Sequence, residues 1–143
     1  MSKWTIEDSR DLYNISGWGS DYFDINNKGH VIIQPQKGSN HSIDLKELVE
    51  DIQAKGYSLP ALIRFSDVLK ASISKLANAF DKSIKEYDYK GAYHGVYPIK
   101  VNQQRQVVEE IIKFGRPYNF GLEAGSKPEL HAILAILDNP EAL

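Results

Sequence analysis

From residue 42 onward the apolar positions recur in two alternating ways. Leu45, Leu48, Val49 and Ile52 follow the i, i+3, i+4, i+7 spacing of one helix face, with Ser42 placed to cap the start and Gly56 to end it. "PALIRF" (60–65) then reads as a short apolar strand. Ser66 caps a long helix whose face carries Leu69, Ile73, Leu76, Ala77, Phe80 and Ile84. "YHGVYPIKV" (93–101) is the next strand, and Asn102 caps a helix with Val107, Val108, Ile111 and Ile112, closed by Gly115. "NFGLEA" (119–124) is the third strand of this series. Ser126 and Glu129 have the spacing of a capping box at the head of a helix through "ELHAILAIL".

The first forty residues are patterned differently. Thr5 stands three residues before Asp8, so its hydroxyl can cap a short helix reaching about Tyr13, and "GWGS" breaks that helix. Residues 22–25 and 30–35 read as two short strands around "NNKG", a turn rich in residues that tolerate positive φ. "QKGSNHS" (36–42) reads as a linker.

Short, non-alternating apolar strands joined by helices argue for an α/β fold with a parallel sheet covered by helices. Two topologies satisfy this pattern, a doubly wound open sheet and part of a (β/α) barrel. Three parallel strands alone leave two unpaired edges, and "DNPEAL" stands where a fourth strand is due. The expectation is therefore the N-terminal part of something larger.

Composition narrows the function classes. A formal charge of -2 with no long basic run disfavours a nucleic-acid surface, which needs a basic face. There are no cysteines, which removes disulfides, thiol nucleophiles and cysteine metal sites. The polar N-terminus has no signal-peptide core, and "AILAIL" is far short of the ~20 apolar residues that span a bilayer. The reading is a cytoplasmic protein with no nucleic-acid or membrane partner.

In βα units chemistry gathers at the carboxyl ends of the strands. Arg64, Lys100 and Glu123 fall there. Lys100 sits near the end of an otherwise apolar run, where a long cation is unusual without a partner. Strand alternation puts Val96, Pro98 and Lys100 on one face, pointing Lys100 into a barrel mouth or across a sheet end, with Tyr97, Ile99 and Val101 packing against helices. Burial disfavours an ammonium, and the free amine can attack an aldehyde to give a Schiff base. Spacing alone leaves two alternatives open: that nucleophile, or a lysine that reaches solvent or pairs with Glu123. Gly121 and Gly125 flank a turn that could hold a phosphate at a helix N-terminus, although no phosphate-loop motif occurs. His30, His41, His94 and His131 show no zinc spacing, and His94 reads as a packing residue. No metal site is expected. Asp44, Glu47 and Asp51 read as surface charges, and Glu109 and Glu110 as solvated.

"GVYPIKVNQQRQVVEEI" followed by "FGLEAGSKPEL" resembles the biosynthetic arginine decarboxylase family of bacteria and plants. "ALIRFSDVL" and "WTIEDSRDLYNISGWGSDYFDINNKGHV" carry the resemblance over nearly the whole chain, in order. The run Tyr97-Pro98-Ile99-Lys100-Val101-Asn102-Gln103-Gln104 separates this branch from ornithine and diaminopimelate decarboxylases. The resemblance implies a pyridoxal 5'-phosphate enzyme with an alanine-racemase-like (β/α)8 barrel, converting L-arginine to agmatine and CO2 in polyamine biosynthesis. Lys100 matches the lysine that binds the cofactor, Glu123 matches an acidic position near it on the next strand, and Arg64 is a neighbour at most. Magnesium is a family expectation without a site in these residues. Family members are several times longer, and related enzymes complete the site with a second subunit, so a homo-oligomer is implied for the complete enzyme.

On this reading residues 1–40 are a helix and β-hairpin of a separate β domain, completed by absent C-terminal sequence. Residues 41–143 are the first three βα units of the cofactor-binding barrel, truncated and inactive alone. The alternatives are a non-catalytic short homologue that binds and regulates a full-length decarboxylase, and an α/β scaffold in which Lys100 merely pairs with Glu123.

Overall fold

The computed structural model describes residues 3–36, 38 and 40–142. Lys37 and Ser39 of the expected linker lie outside the described residues, as do both ends of the chain. The chain divides into two compact units, residues 1–68 and 69–143.

The first unit starts with α1 (Ile6–Leu12), headed by a capping box: the Thr5 hydroxyl accepts from the Asp8 amide, as its sequence predicts, and the Asp8 carboxylate also accepts from the Thr5 amide at 2.7 Å. A single further turn, α2 (Ile15–Trp18), leads into β1 (Phe23–Ile25) and β2 (Val31–Ile33). These strands pair antiparallel with Phe23 opposite Ile33 and Ile25 opposite Val31. The turn between them is set by Asn26, whose side-chain oxygen accepts from the Lys28 and His30 amides, and by Gly29 at φ 79°. Arg10 reaches from α1 to the hairpin and grips Asp24 through Nε (2.6 Å) and Nη2 (3.1 Å), with Nη2 also donating to the Ile25 carbonyl. Partial burial pushes the Asp24 carboxyl up, but the bonds from Arg10 and the Ile25 amide outweigh it and its pKa ends below the usual range. Ile15, Ile25 and Ile33 form the buried centre, Ile33 at 1% exposure.

A third strand, β3 (Ile43–Asp44), pairs antiparallel with β2 and gives the sheet the order β1-β2-β3. The hairpin thus has a partner inside the chain, which its sequence did not reveal because a two-residue strand carries no periodicity. Helix α3 (Leu45–Ala54) follows directly, and its cap is Asp44, not Ser42: the Asp44 carboxylate accepts from the Lys46 and Glu47 amides. Gly56 ends the helix at φ 86°, as its sequence predicts. Asp44 is no surface charge. Its side chain is 11% exposed and also accepts from Asn26 Nδ2 (2.7 Å) and faces His30 Nδ1 (2.8 Å). Residues 60–65 form no strand. The run has no ladder partner among the described residues, Pro60 lacks an amide to offer one, and Leu62 stays exposed.

The second unit is built around a β-α-β segment. Helix α4 (Ser66–Glu86) takes Ser66 as its first residue, where its sequence suggests the cap, and its face buries Ile73 and Ala77 while Leu76 and Phe80 remain exposed. Strand β4 is Val96–Pro98, shorter than the expected 93–101, and a 3-10 turn follows over Ile99–Val101. Helix α5 (Arg105–Gly115) begins beyond Asn102, which instead accepts the Gln104 amide on its side-chain oxygen at 3.0 Å. Strand β5 (Gly121–Glu123) pairs parallel with β4, and α6 (Lys127–Ile136) closes the segment. Among the described residues two parallel strands form, not three. Val108, Ile111 and Ile112 of α5 are buried as their spacing predicts, with Ile99, Leu122 and Ile133 in contact with Val108 and Ile112. His94 is exposed and packs no core, because the strand does not reach back to it.

Phe120 fixes the start of β5. Its ring lies so close to Gly95 that a Cβ there would fall 2.0 Å from ring carbon Cε2, and a Cβ on Gly115 would meet the Phe120 Cβ at 2.4 Å. Both glycines are close-approach points, and Phe120 is itself buried and cannot swing away. Gly95→Ala is therefore expected to destabilise the protein by about 1–3 kcal/mol in denaturant unfolding; a loss within ~0.5 kcal/mol, as for a surface change, would show that the ring yields. Asp44 gives a pH test. Burial raises its carboxyl, but the contacts from His30, the Glu47 amide and Asn26 dominate and bring its pKa to about 2. A carboxyl depressed in the fold stabilises it fully above its unfolded value of 3.8 and loses that contribution as pH falls toward 2. Asp44→Asn, which keeps a capping oxygen, should flatten the acid limb of stability between about pH 4 and 2; an unchanged limb in an acid titration would refute this.

Candidate functional site

The parallel register places Pro98 opposite Glu123. Lys100 comes two residues later, after the chain has left the ladder for the 3-10 turn. That turn sends Ile99 into the core and its neighbour Lys100 outward. The Lys100 Nζ stands 3.6 Å from Glu123 Oε1, an ion pair beyond ordinary hydrogen-bond length. The side chains are 62% and 51% exposed. The apolar surroundings expected of Lys100 are thus not present in this unit, and the strand alternation that was to orient it stops at Pro98. Val101, expected to pack on a helix, is exposed as well. An accessible primary amine beside one carboxylate can condense with an aldehyde, and the carboxylate can hold the amine's position by charge.

Arg64 falls in the other compact unit and is exposed. In the Gly121–Gly125 turn both glycine amides are already engaged: the Gly121 amide donates to the Gly95 carbonyl at 2.8 Å, and the Gly125 amide to Glu129 Oε2 at 2.7 Å. The capping box expected of Ser126 and Glu129 is half formed. Ser126 accepts the Glu129 amide, but the Glu129 carboxylate bonds one residue further back, at Gly125, and also accepts from Gln103 Nε2 at 3.1 Å. This second role of Glu129 was hidden because Gln103 lies far away in sequence. A groove of about 460 Å³ opens between α5 and α6, walled by Ile99, Gln103, Val108, Ser126, Glu129 and Ile136; Lys100 and Glu123 are not in its walls.

One set of metal-type donors converges among the described residues. His30, Asp44 and Glu47 bring ligand atoms within 4.8 Å of one another. Their partners are internal: Asp44 is engaged by His30, Asn26 and two helix amides, and Glu47 by Lys28 Nζ at 2.6 Å. The cluster reads as the joint between hairpin and α3. Among the described residues no helix is long and apolar enough to cross a membrane.

No protein-family model matches the chain. Individual proteins match it closely. Biosynthetic arginine decarboxylase of Gloeobacter violaceus is 59% identical over 143 residues, all of this chain and 22% of that enzyme. The enzyme of the same description from Phocaeicola vulgatus is 53% identical over the same length and share. Among solved structures, the biosynthetic arginine decarboxylase SpeA of Campylobacter jejuni superposes with a TM-score of 0.79 at 37% identity, over 90% of this chain and 21% of that one. The chain thus spans about a fifth of the length of the curated relatives it matches. By sequence and by fold, the chain matches the N-terminal part of the biosynthetic arginine decarboxylases.

Proposed function

We propose that this chain is the start of a pyridoxal-phosphate-dependent (β/α) barrel, and that the complete enzyme removes the α-carboxylate of L-arginine as CO2, leaving agmatine. The observation that carries this reading is Lys100, an accessible amine 3.6 Å from Glu123 at the ends of two paired parallel strands. It stands in a chain 59% identical over 143 residues to an arginine decarboxylase. The donor chemistry fits the cofactor: an aldehyde needs a primary amine it can reach, and Lys100 offers one. When bound, pyridoxal phosphate supplies the electron sink for the pair released as the carboxylate leaves.

Lys100 holds the cofactor through its Nζ. Glu123 orients that amine and keeps a negative charge beside it. Ile99, packed on Val108, Ile112, Leu122 and Ile133, anchors the turn from which Lys100 projects. Magnesium does not fit the residues around Lys100, where Glu123 is the carboxylate facing it. A homo-oligomeric, cytoplasmic enzyme belongs to the same proposal. A regulator without catalytic parts has no observation in its favour. As a scaffold pair, Lys100 and Glu123 at this exposure contribute about 0–1 kcal/mol, so replacing either should leave the stability of the fold nearly unchanged.

The test is reductive trapping with pyridoxal phosphate and borohydride on the complete enzyme, followed by peptide mass mapping. Label is expected at Lys100 in preference to the surface lysines. Labelling spread evenly over the lysines would defeat the proposal. Lys100→Ala is expected to abolish the specific label and to lower kcat by roughly a thousandfold or more. Glu123→Gln should keep the label and lower kcat by roughly 10–100-fold; an unchanged kcat would remove Glu123 from the site.

A further inference from the structure

Glu129 is the third residue of α6, and its two carboxylate oxygens go to two different loops. Oε2 accepts from the Gly125 amide at 2.7 Å, and Oε1 accepts from the Gln103 side-chain amide at 3.1 Å. Gly125 lies two residues after Glu123, and Gln103 lies three residues after Lys100. The cap of α6 does not need this arrangement, because the Ser126 hydroxyl already accepts the Glu129 amide. The lysine stem runs over the same turn: a Cβ built on Gly125 would lie 3.9 Å from Lys100 Cδ and 3.4 Å from Glu129 Oε2. Both bonds have an ionised acceptor, which makes them stronger than neutral pairs.

We infer that Glu129 is a positioning residue, tying the loop after β4 to the loop after β5 and so holding the Lys100 amine against Glu123. The inference rests on the reading of Lys100 as the residue that binds the cofactor. Glu129 touches neither reacting atom. It acts through Gly125 and Gln103, limiting how far the two loops separate and hence how far Nζ strays.

The experiment compares wild type, Glu129→Ala, Glu129→Gln and Ser126→Ala in the complete enzyme. The first readout is amide hydrogen exchange at Gly125, which involves no cofactor. The second is reductive labelling of Lys100 by pyridoxal phosphate, normalised to Lys75 on α4. Glu129→Ala is expected to speed Gly125 exchange by roughly tenfold, the factor matching loss of a charge-assisted hydrogen bond, and to lower relative Lys100 labelling severalfold. Glu129→Gln keeps an acceptor for Gly125 and can pair with Gln103 once that amide turns over, so it should restore both readouts. Ser126→Ala weakens the helix cap and leaves the tie intact, so it should leave relative labelling at Lys100 unchanged. Unchanged Gly125 exchange in Glu129→Ala overturns the inference, and so does a labelling loss in Ser126→Ala equal to that in Glu129→Ala. If Gly125 exchange responds while wild-type Lys100 takes no specific label, the tie between the loops stands and the cofactor reading fails.

Discussion

The parallel pairing of β4 with β5 governs where the polar groups of the second unit lie. Because Pro98 is opposite Glu123, a lysine two residues past the first and a carboxylate on the second emerge at the same end of the sheet. The pairing is itself held by apolar contacts on one side, with Ile99 and Leu122 buried among Val108, Ile112 and Ile133. Burial of these branched side chains is the dominant favourable term. The polar end is comparatively open, joined by an ion pair and by the bonds from Glu129. A firm apolar base under a water-accessible polar rim lets a side chain be fixed at its root and free at its tip.

Helix faces were legible in the sequence. The spacing of Val108, Ile111 and Ile112 marks the buried stripe of α5, and Thr5 with Asp8 marks the start of α1. Both are local signals whose period or capping geometry belongs to a few adjacent residues. Lengths of strands were not legible. An apolar run such as 60–65 becomes a strand when a neighbour accepts its amides, and that neighbour is a matter of distant sequence. The same limit applies to β4, where the apolar character runs through Val101 but the ladder ends at Pro98.

The candidate site was legible in part, for similar reasons. Lys100 and Glu123 stand out because each is a charge near the end of an apolar run, and the structure brings them together. Burial of Lys100 could not be read from its neighbours along the chain, since it depends on what covers the turn from outside. The wider attachments of Asp44 and Glu129 were also missed. Each looks in sequence like an ordinary helix-start acid. In the fold each accepts bonds from a second, distant segment as well: Asp44 from Asn26 and His30, and Glu129 from Gln103. Capping positions lie at the mouths of connections, where other loops pass close, so a residue there can serve two purposes at once.

The contact of Phe120 with Gly95 and Gly115 has a meaning for how this sequence can vary. The three positions occupy one volume, so they form a single unit of change although they are spread along the chain. A larger residue at either glycine becomes tolerable only beside a smaller one at position 120, and a smaller residue there leaves a void unless a glycine is enlarged in turn. Drift through this region therefore moves in compensated pairs, since a single replacement at any of the three costs stability.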